Sequence, residues 1–346
     1  MSAEIEPRKT RWISLIGKIV FFMLAVLLVI FTVMSNIGGK SDALRQSIES
    51  FFAESTPYDA RVGIFNGMTF FPDISFDFES TEFSRNGEET PVMFLGKVQL
   101  VFGFWDVMAS TGKIKTLNVR NFQALPGTLL NTPLSIDRVE IVETIGQPLL
   151  EAEGKINQEP FKLSINMNVK GLGKGKKYSF GPERDFTFSL GPVKTTGKIT
   201  TGESSGLIFQ NLDISINEKK FASGRLEMVR NTGRIDLGGH LIFEENKTDL
   251  NPELKILLDR GSLEGVLKSE NFYIKDFAPG SAYDQAMMII EKAFGQQEKS
   301  ETPALQLQVK NLHKLDNSRV VYDGPLPLKG WRIDADALKT VPASFP

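Results

Sequence analysis

The chain has no cysteine among its 346 residues. That removes disulfide frameworks, thiolate metal sites and cysteine nucleophiles together. Histidine is almost missing, with 2 copies, His240 and His313, in strand-like sequence where a paired or solvated ring is the plain reading. No serine nucleophile elbow is read, and so few histidines leave little for a triad. Tyrosine and tryptophan number 5 and 3 against 26 phenylalanines, so aromatic mass comes without polar handles. Charge of one sign is lacking as well: 40 basic and 42 acidic residues give −2, and no electrostatic case for nucleic acid. Composition points away from an enzyme. Catalytic residues, metal ligands and cofactors are expected to be none.

What is present suffices for a folded core, with 41% hydrophobic and 24% charged residues. The length suits one large domain or two small ones. One long apolar run stands near the start. Lys18 and Lys40 bracket an uncharged stretch, and Ile19–Met34 is apolar except for Thr32. As a helix, Ile13 to Met34 would rise roughly 33 Å, enough to cross a hydrocarbon core of about 30 Å. Arg8, Lys9, Arg11 and Lys18 precede or open the run, so the positive-inside rule keeps residues 1–11 cytoplasmic and exports the chain beyond Asn36. A retained anchor over 12–36 is expected; the competing reading is a signal peptide cleaved near Val33-Met34-Ser35. Setting aside the 5 basic and 2 acidic residues of 1–40 leaves the exported part at −5.

Ser41–Phe52 has Leu44, Ile48, Phe51 and Phe52 at helical spacing. After it the dominant period is two. Ile74, Phe76 and Phe78 alternate with polar neighbours, and so do Val98, Leu100, Phe102 and Phe104. Phe161, Leu163, Ile165, Met167 and Val169 form the clearest such set. The pattern repeats at Phe186/Phe188/Leu190, Leu212/Ile214/Ile216, Ile235/Leu237/Leu241/Phe243, Leu254/Ile256/Leu258 and Leu305/Leu307/Val309. One apolar and one wet face per strand is the mark of antiparallel sheet. Short punctuation such as Asn86-Gly87, Asn231-Thr232-Gly233 and Arg260-Gly261 predicts hairpins, and on the order of fourteen to sixteen strands in a meander. Helical turns are expected over Phe104–Ser110 and a longer helix over Ser281–Phe294. The tail from Tyr322 contains Gly324-Pro325-Leu326-Pro327 and reads as extended or loose.

Lys170–Lys177 is rich in glycine and lysine, but a phosphate loop needs a helix after it, and Tyr178-Ser179-Phe180-Gly181-Pro182 cannot open one. A hairpin turn is the reading. The strands themselves pose the larger question. About fifteen strands in a meander exceed what an open twisted sheet holds without curling or closing. Either the sheet closes on itself as a sandwich, or it curls into a trough with an apolar inner face.

Residues 62–125 resemble the N-terminal region of the AsmA-like family of envelope proteins. The matching residues are Val62–Gly67, Phe71-Pro72-Asp73-Ile74-Ser75-Phe76, Val98–Phe102 with Trp105-Asp106-Val107-Met108, and Gly112–Val119. Leu134–Ile141 echoes them, and Gly224–Met228 and Gly238–Leu241 look like the family's recurring strands of glycine followed by alternating apolar residues. The resemblance implies a repeating β-groove anchored in the inner membrane of a Gram-negative cell, whose larger relatives are thought to pass phospholipids toward the outer membrane. This chain is short for such a bridge, about 70 Å of trough at 4.8 Å per strand.

The expected fold is therefore mainly β: an N-terminal transmembrane helix, then a long antiparallel β-meander curled into a groove, with one or two short helices. Its expected divisions are 1–11, the anchor 12–36, an AsmA-like N-terminal region 41–125, a continuing groove 126–321 and the tail 322–346. Candidate groove-lining residues are Ile74, Phe76, Phe78, Phe161, Leu163, Ile165, Met167, Val169, Ile235, Leu237, Leu241, Phe243, Leu305, Leu307 and Val309. The expected partners are a phospholipid or other acyl-chain lipid, the inner membrane and envelope proteins, with the exported part periplasmic. The alternative is a structural or assembly factor for outer-membrane biogenesis that acts through protein contacts.

Overall fold

A computed structural model describes residues 45–338 except 47–48, 51–52, 55, 57, 70, 110–112, 144–146, 172–174, 203–205, 232–233, 258–261, 296–304, 314–318, 326–327, 330–331 and 337. The expected anchor and its cytoplasmic flank lie outside the described residues. The chain is mainly β and divides into two compact units. One holds the described residues up to Pro91 together with Leu95–Leu117; the other holds Val92–Phe94 and the residues from Asn118 on.

In the first unit, residues 45–46, 49–50 and 53–54 are helical, inside and just past the expected 41–52 helix. Strand β1 (Tyr58–Thr69) pairs antiparallel with β2 (Asp73–Arg85), and β3 (Pro91–Gly103) lies beside β2. Helix α1 (Phe104–Met108) comes next, on the turns expected there, and leads to β4 (Ile114–Ala124). The alternation of Ile74, Phe76 and Phe78 holds until Ser80, whose φ of 55° shifts the phase. Beyond it Thr81 and Phe83 are buried, packed where β1 brings Val62 and Ala60 opposite them.

The second unit is one long ladder. From the end of β4 it runs through β5 (Leu134–Glu143), β6 (Pro148–Ile156) and β7 (Glu159–Asn166), each antiparallel to the one before. A small hairpin, β8 (Asn168–Lys170) and β9 (Lys177–Ser179), interrupts it, with the glycine-rich stretch between its arms. Then β10 (Glu183–Leu190) returns to pair with β7. The meander continues through β11 (Val193–Thr201), β12 (Leu207–Ile216), β13 (Lys219–Asn231), β14 (Arg234–Phe243), β15 (Asp249–Leu257) and β16 (Ser262–Tyr273). A 3-10 turn at Ile274–Phe277 and helix α2 (Ala282–Phe294) lead to β17 (Leu305–His313), and β18 (Arg319–Pro325) pairs with β17. Two short strands, β19 (Leu328–Lys329) and β20 (Arg332–Ile333), form a separate hairpin.

Four expectations are corrected. The ladder is not antiparallel throughout, because β17 joins β16 in parallel. A parallel neighbour needs a crossover of a dozen residues or more, and α2 supplies it. The described residues hold 20 strands, not fourteen to sixteen. The surplus lies in β8, β9, β19 and β20, which are too short to show a period. Phe161–Val169 is not one strand: β7 stops at Asn166, because its partner β6 begins at Pro148, and Met167 makes the last hydrogen bond, to the Pro148 carbonyl. Past that point the chain folds back on itself as β8 and β9. Finally, β18 runs on through Gly324 to Pro325, beyond the expected start of the tail, with the proline as its last residue.

Candidate functional site

Register decides which side chains share a face, since directly opposed residues point the same way. In the second unit it brings the alternating apolar sets of successive strands onto a single face. Ile136 opposes Gly154, which opposes Phe161; Ala152 opposes Leu163, and Leu163 opposes Phe188. Ile165 opposes Phe186, and Phe161 opposes Leu190. Further along, Phe209 opposes Leu226, Met228 opposes Leu237, and Leu237 opposes Leu254. Leu267 opposes Leu307 and Gly265 opposes Leu305. The apolar face therefore runs across the ladder from β5 to β17, with Thr195 and Gly197 set between Val193 and Ile199 at β11.

On this face two glycines let neighbouring strands come close. Gly224 and Gly239 sit on it diagonally, each opposite a leucine of the neighbouring strand, Leu241 and Leu226. Their φ angles are 156° and 154°, which side-chain-bearing residues rarely adopt. A Cβ on Gly224 would fall 2.0 Å from the His240 carbonyl oxygen, and one on Gly239 2.3 Å from that of Arg225. The neighbouring backbone occupies the space where each side chain would begin, a close approach that glycine permits. At β11 the face carries Gly197 where its neighbours carry rings, and Phe186 and Phe209 meet edge-on at 5.6 Å.

One end of the face is covered. Three two-residue turns, 157–158, 191–192 and 217–218, all lie at that end, and α2 runs along them. Ser281 caps α2 by accepting from the Asp284 N–H at 3.1 Å. Its last turn is held by Thr132 Oγ1 donating to the Ala293 carbonyl (2.6 Å) and Asn157 Nδ2 to that of Lys292 (2.8 Å). Lys292 also pairs with Glu159. The apolar side of α2 packs Ile289, Ile290, Ala293 and Phe294 against Ile156, Leu190, Phe161 and Phe188. Toward its start, Tyr283 meets Phe243 and Phe277 in the largest buried cluster.

The expected groove residues separate accordingly. Phe161, Leu163, Ile165, Ile235, Leu237 and Leu241 share the apolar face of the second unit and are half-buried. Leu305, Leu307, Val309 and Phe243 belong to the buried cluster with Phe272 and Phe277, and Leu307 is fully buried. Met167 is buried, whereas Val169 is 48% exposed on the β8–β9 hairpin, apart from the rest. Ile74, Phe76 and Phe78 are in the first unit, with Phe78 buried and the other two half-buried.

The opposite face is polar and laced with ion pairs. Arg138 reaches Glu140 at 2.8 Å and Glu153 at 2.5 Å; Lys220 reaches Asp213 and Lys268 reaches Glu253, both at 2.5 Å. At the edge of this network Glu244 is hydrogen-bonded by Lys247 and Ser223, which hold its carboxyl down at about 2. A shallow depression here is lined by Arg225, Asp236, His240 and Glu253 among others, and His240 Nδ1 lies 2.8 Å from Asn251 Oδ1. His313 stacks on Tyr273 at 4.3 Å. Against the expectation of none, the chain does carry one Gly-x-Ser-x-Gly string, at 202–206. It joins antiparallel β11 to β12, with the Gly202 N–H donating to the Gly206 carbonyl, whereas a nucleophile elbow joins a strand to a helix.

Two residues that periodicity could not single out share the apolar face at the end away from α2. Arg184 opposes Ile199, and Arg230 opposes Ile235. They place guanidinium groups where the apolar surface stops.

Comparison with protein-family models, with curated proteins and with solved structures found no match.

Proposed function

We propose that this chain is a membrane-anchored lipid-binding or lipid-transfer module of a bacterial cell envelope, with residues 12–36 in the inner membrane and the β units in the periplasm. It acts without catalysis. The observation that carries the reading is the apolar face that extends from β5 to β17, largely of aliphatic and aromatic side chains and covered by α2 at one end. In this reading the face is the inner surface of a groove, and acyl chains lie against Leu163, Ile165, Leu226, Met228, Ile235 and Leu237. Each methylene removed from water there contributes about 0.8 kcal/mol. Phenylalanine, leucine and isoleucine offer no polar group to satisfy, so a chain is held without a fixed register and is able to slide. Arg184 and Arg230 stand where an anionic headgroup would leave the apolar surface. The residues that resemble the AsmA-like family support the same reading.

The test is native mass spectrometry of the full chain extracted in mild detergent, with the released lipids identified. One or more phospholipids per chain are expected, and they are expected to be lost from Leu163→Glu and Leu237→Glu variants that remain folded. A folded chain free of lipid would overturn the reading and favour the alternative, an envelope assembly factor that works through protein contacts.

A further inference from the structure

The first unit ends in an apolar tip. The turn between β1 and β2 meets α1 there: the Phe104 N–H donates to the Pro72 carbonyl at 3.2 Å, and the Phe71 and Phe104 rings pack edge-on at 5.8 Å. Trp105 continues the aromatic row, 5.1 Å from Phe104. Around this pair the side chains turn outward, with Met108 68%, Trp105 63%, Val107 45% and Phe71 38% exposed. Asp106 in the same short helix is buried, with Lys113 at 3.7 Å. The helix hides its charge and shows its apolar residues, the reverse of a helix that faces water.

The chain before β1 is held to that strand. Glu49, within the helical residues that precede β1, accepts the Val62 N–H at 2.9 Å. Thirteen residues separate Asn36 from Glu49, so a short length of chain ties the first unit to the expected anchor.

We propose that Phe71, Trp105, Val107 and Met108 insert into the headgroup–acyl boundary of the same bilayer that holds residues 12–36. The occupant is a lipid surface: tryptophan is the side chain most suited to that boundary. Lys113 and Lys115 stand at the base of the tip, paired with Asp106 and Asp73. Insertion would hold the first unit in one orientation on the membrane, where an anchor alone leaves it free to turn. The inference rests on the anchored reading of residues 12–36.

The test uses the full chain with Trp12→Phe and Trp331→Phe, which leaves Trp105 as the sole tryptophan, reconstituted in phosphatidylcholine vesicles with brominated or ordinary acyl chains. Trp105 emission is expected at short wavelength in ordinary vesicles and to lose most of its intensity in brominated ones. Adding Met108→Asp is expected to reverse part of that loss. Long-wavelength, unquenched emission from a chain that floats with the vesicles would overturn the tip proposal and leave the anchor standing. Unquenched emission from a chain that does not float would overturn both.

Discussion

Two strands of the second unit look alike in sequence and differ in what they do. Leu305, Leu307 and Val309 in β17 alternate as regularly as Ile235, Leu237 and Leu241 in β14. Register puts both sets on the same apolar face. Yet Leu307 is fully buried in the cluster built by Phe272, Phe277 and Tyr283, while Ile235 and Leu237 are half-buried at the end of β14 away from α2. The first set is core. The second is surface of a kind that water wets poorly and an acyl chain would cover.

Substitutions should separate the two regions. The largest effect is expected at the core: Leu307→Ala should lower unfolding free energy by about 3 kcal/mol, from the lost contacts and the cavity left behind. Leu237→Ala should cost on the order of 1 kcal/mol in lipid-free protein, since little burial is lost there. Denaturant titration of both variants checks the difference, and equal losses would erase the distinction. Next comes the close approach at glycine. Gly239→Ala should destabilise by about 2 kcal/mol, because the new Cβ meets the Arg225 carbonyl and the backbone angle is strained as well. The cover should be softer: Ser281→Ala is expected to cost about 1 kcal/mol and to speed amide exchange at the start of α2 more than in β14.

The smallest effect is electrostatic and belongs to the polar face. The Glu244 carboxyl is depressed from 4.5 to about 2 by Lys247 and Ser223. A depressed carboxyl contributes stability in full above its unfolded value and loses it as pH falls toward the folded one. Stability should therefore decline between about pH 4.5 and pH 2, and Glu244→Gln should flatten that slope slightly. The group is largely solvated, which keeps the effect small.

The difference between β14 and β17 also shows what a sequence can and cannot carry. Period two marks the strands and the apolar side of each, because side-chain direction alternates along any pleated strand. The stripe of Ala286, Ile289, Ile290, Ala293 and Phe294 marks α2 in the same local way. Cover is not local. Whether Leu307 lies under Phe277 or faces space depends on where the crossover from β16 lands, and nothing near residue 307 encodes it. Phase breaks are hidden for a related reason. Ser80 and Asn211 take left-handed angles of 55° and 50°, and neither residue type announces a bulge. Arg184 and Arg230 are equally silent, because a charge at a strand end reads as solvation until register sets it on the apolar face.

The most direct test places a photoreactive benzoylphenylalanine in the full chain at Leu237 or at His240, which lie on opposite faces of β14. After irradiation in membranes, extraction and intact-mass analysis, a phospholipid adduct is expected at position 237 and none at position 240. Equal adducts at both positions, or none at either in a folded chain, would contradict the claim that the apolar face of the second unit holds acyl chains.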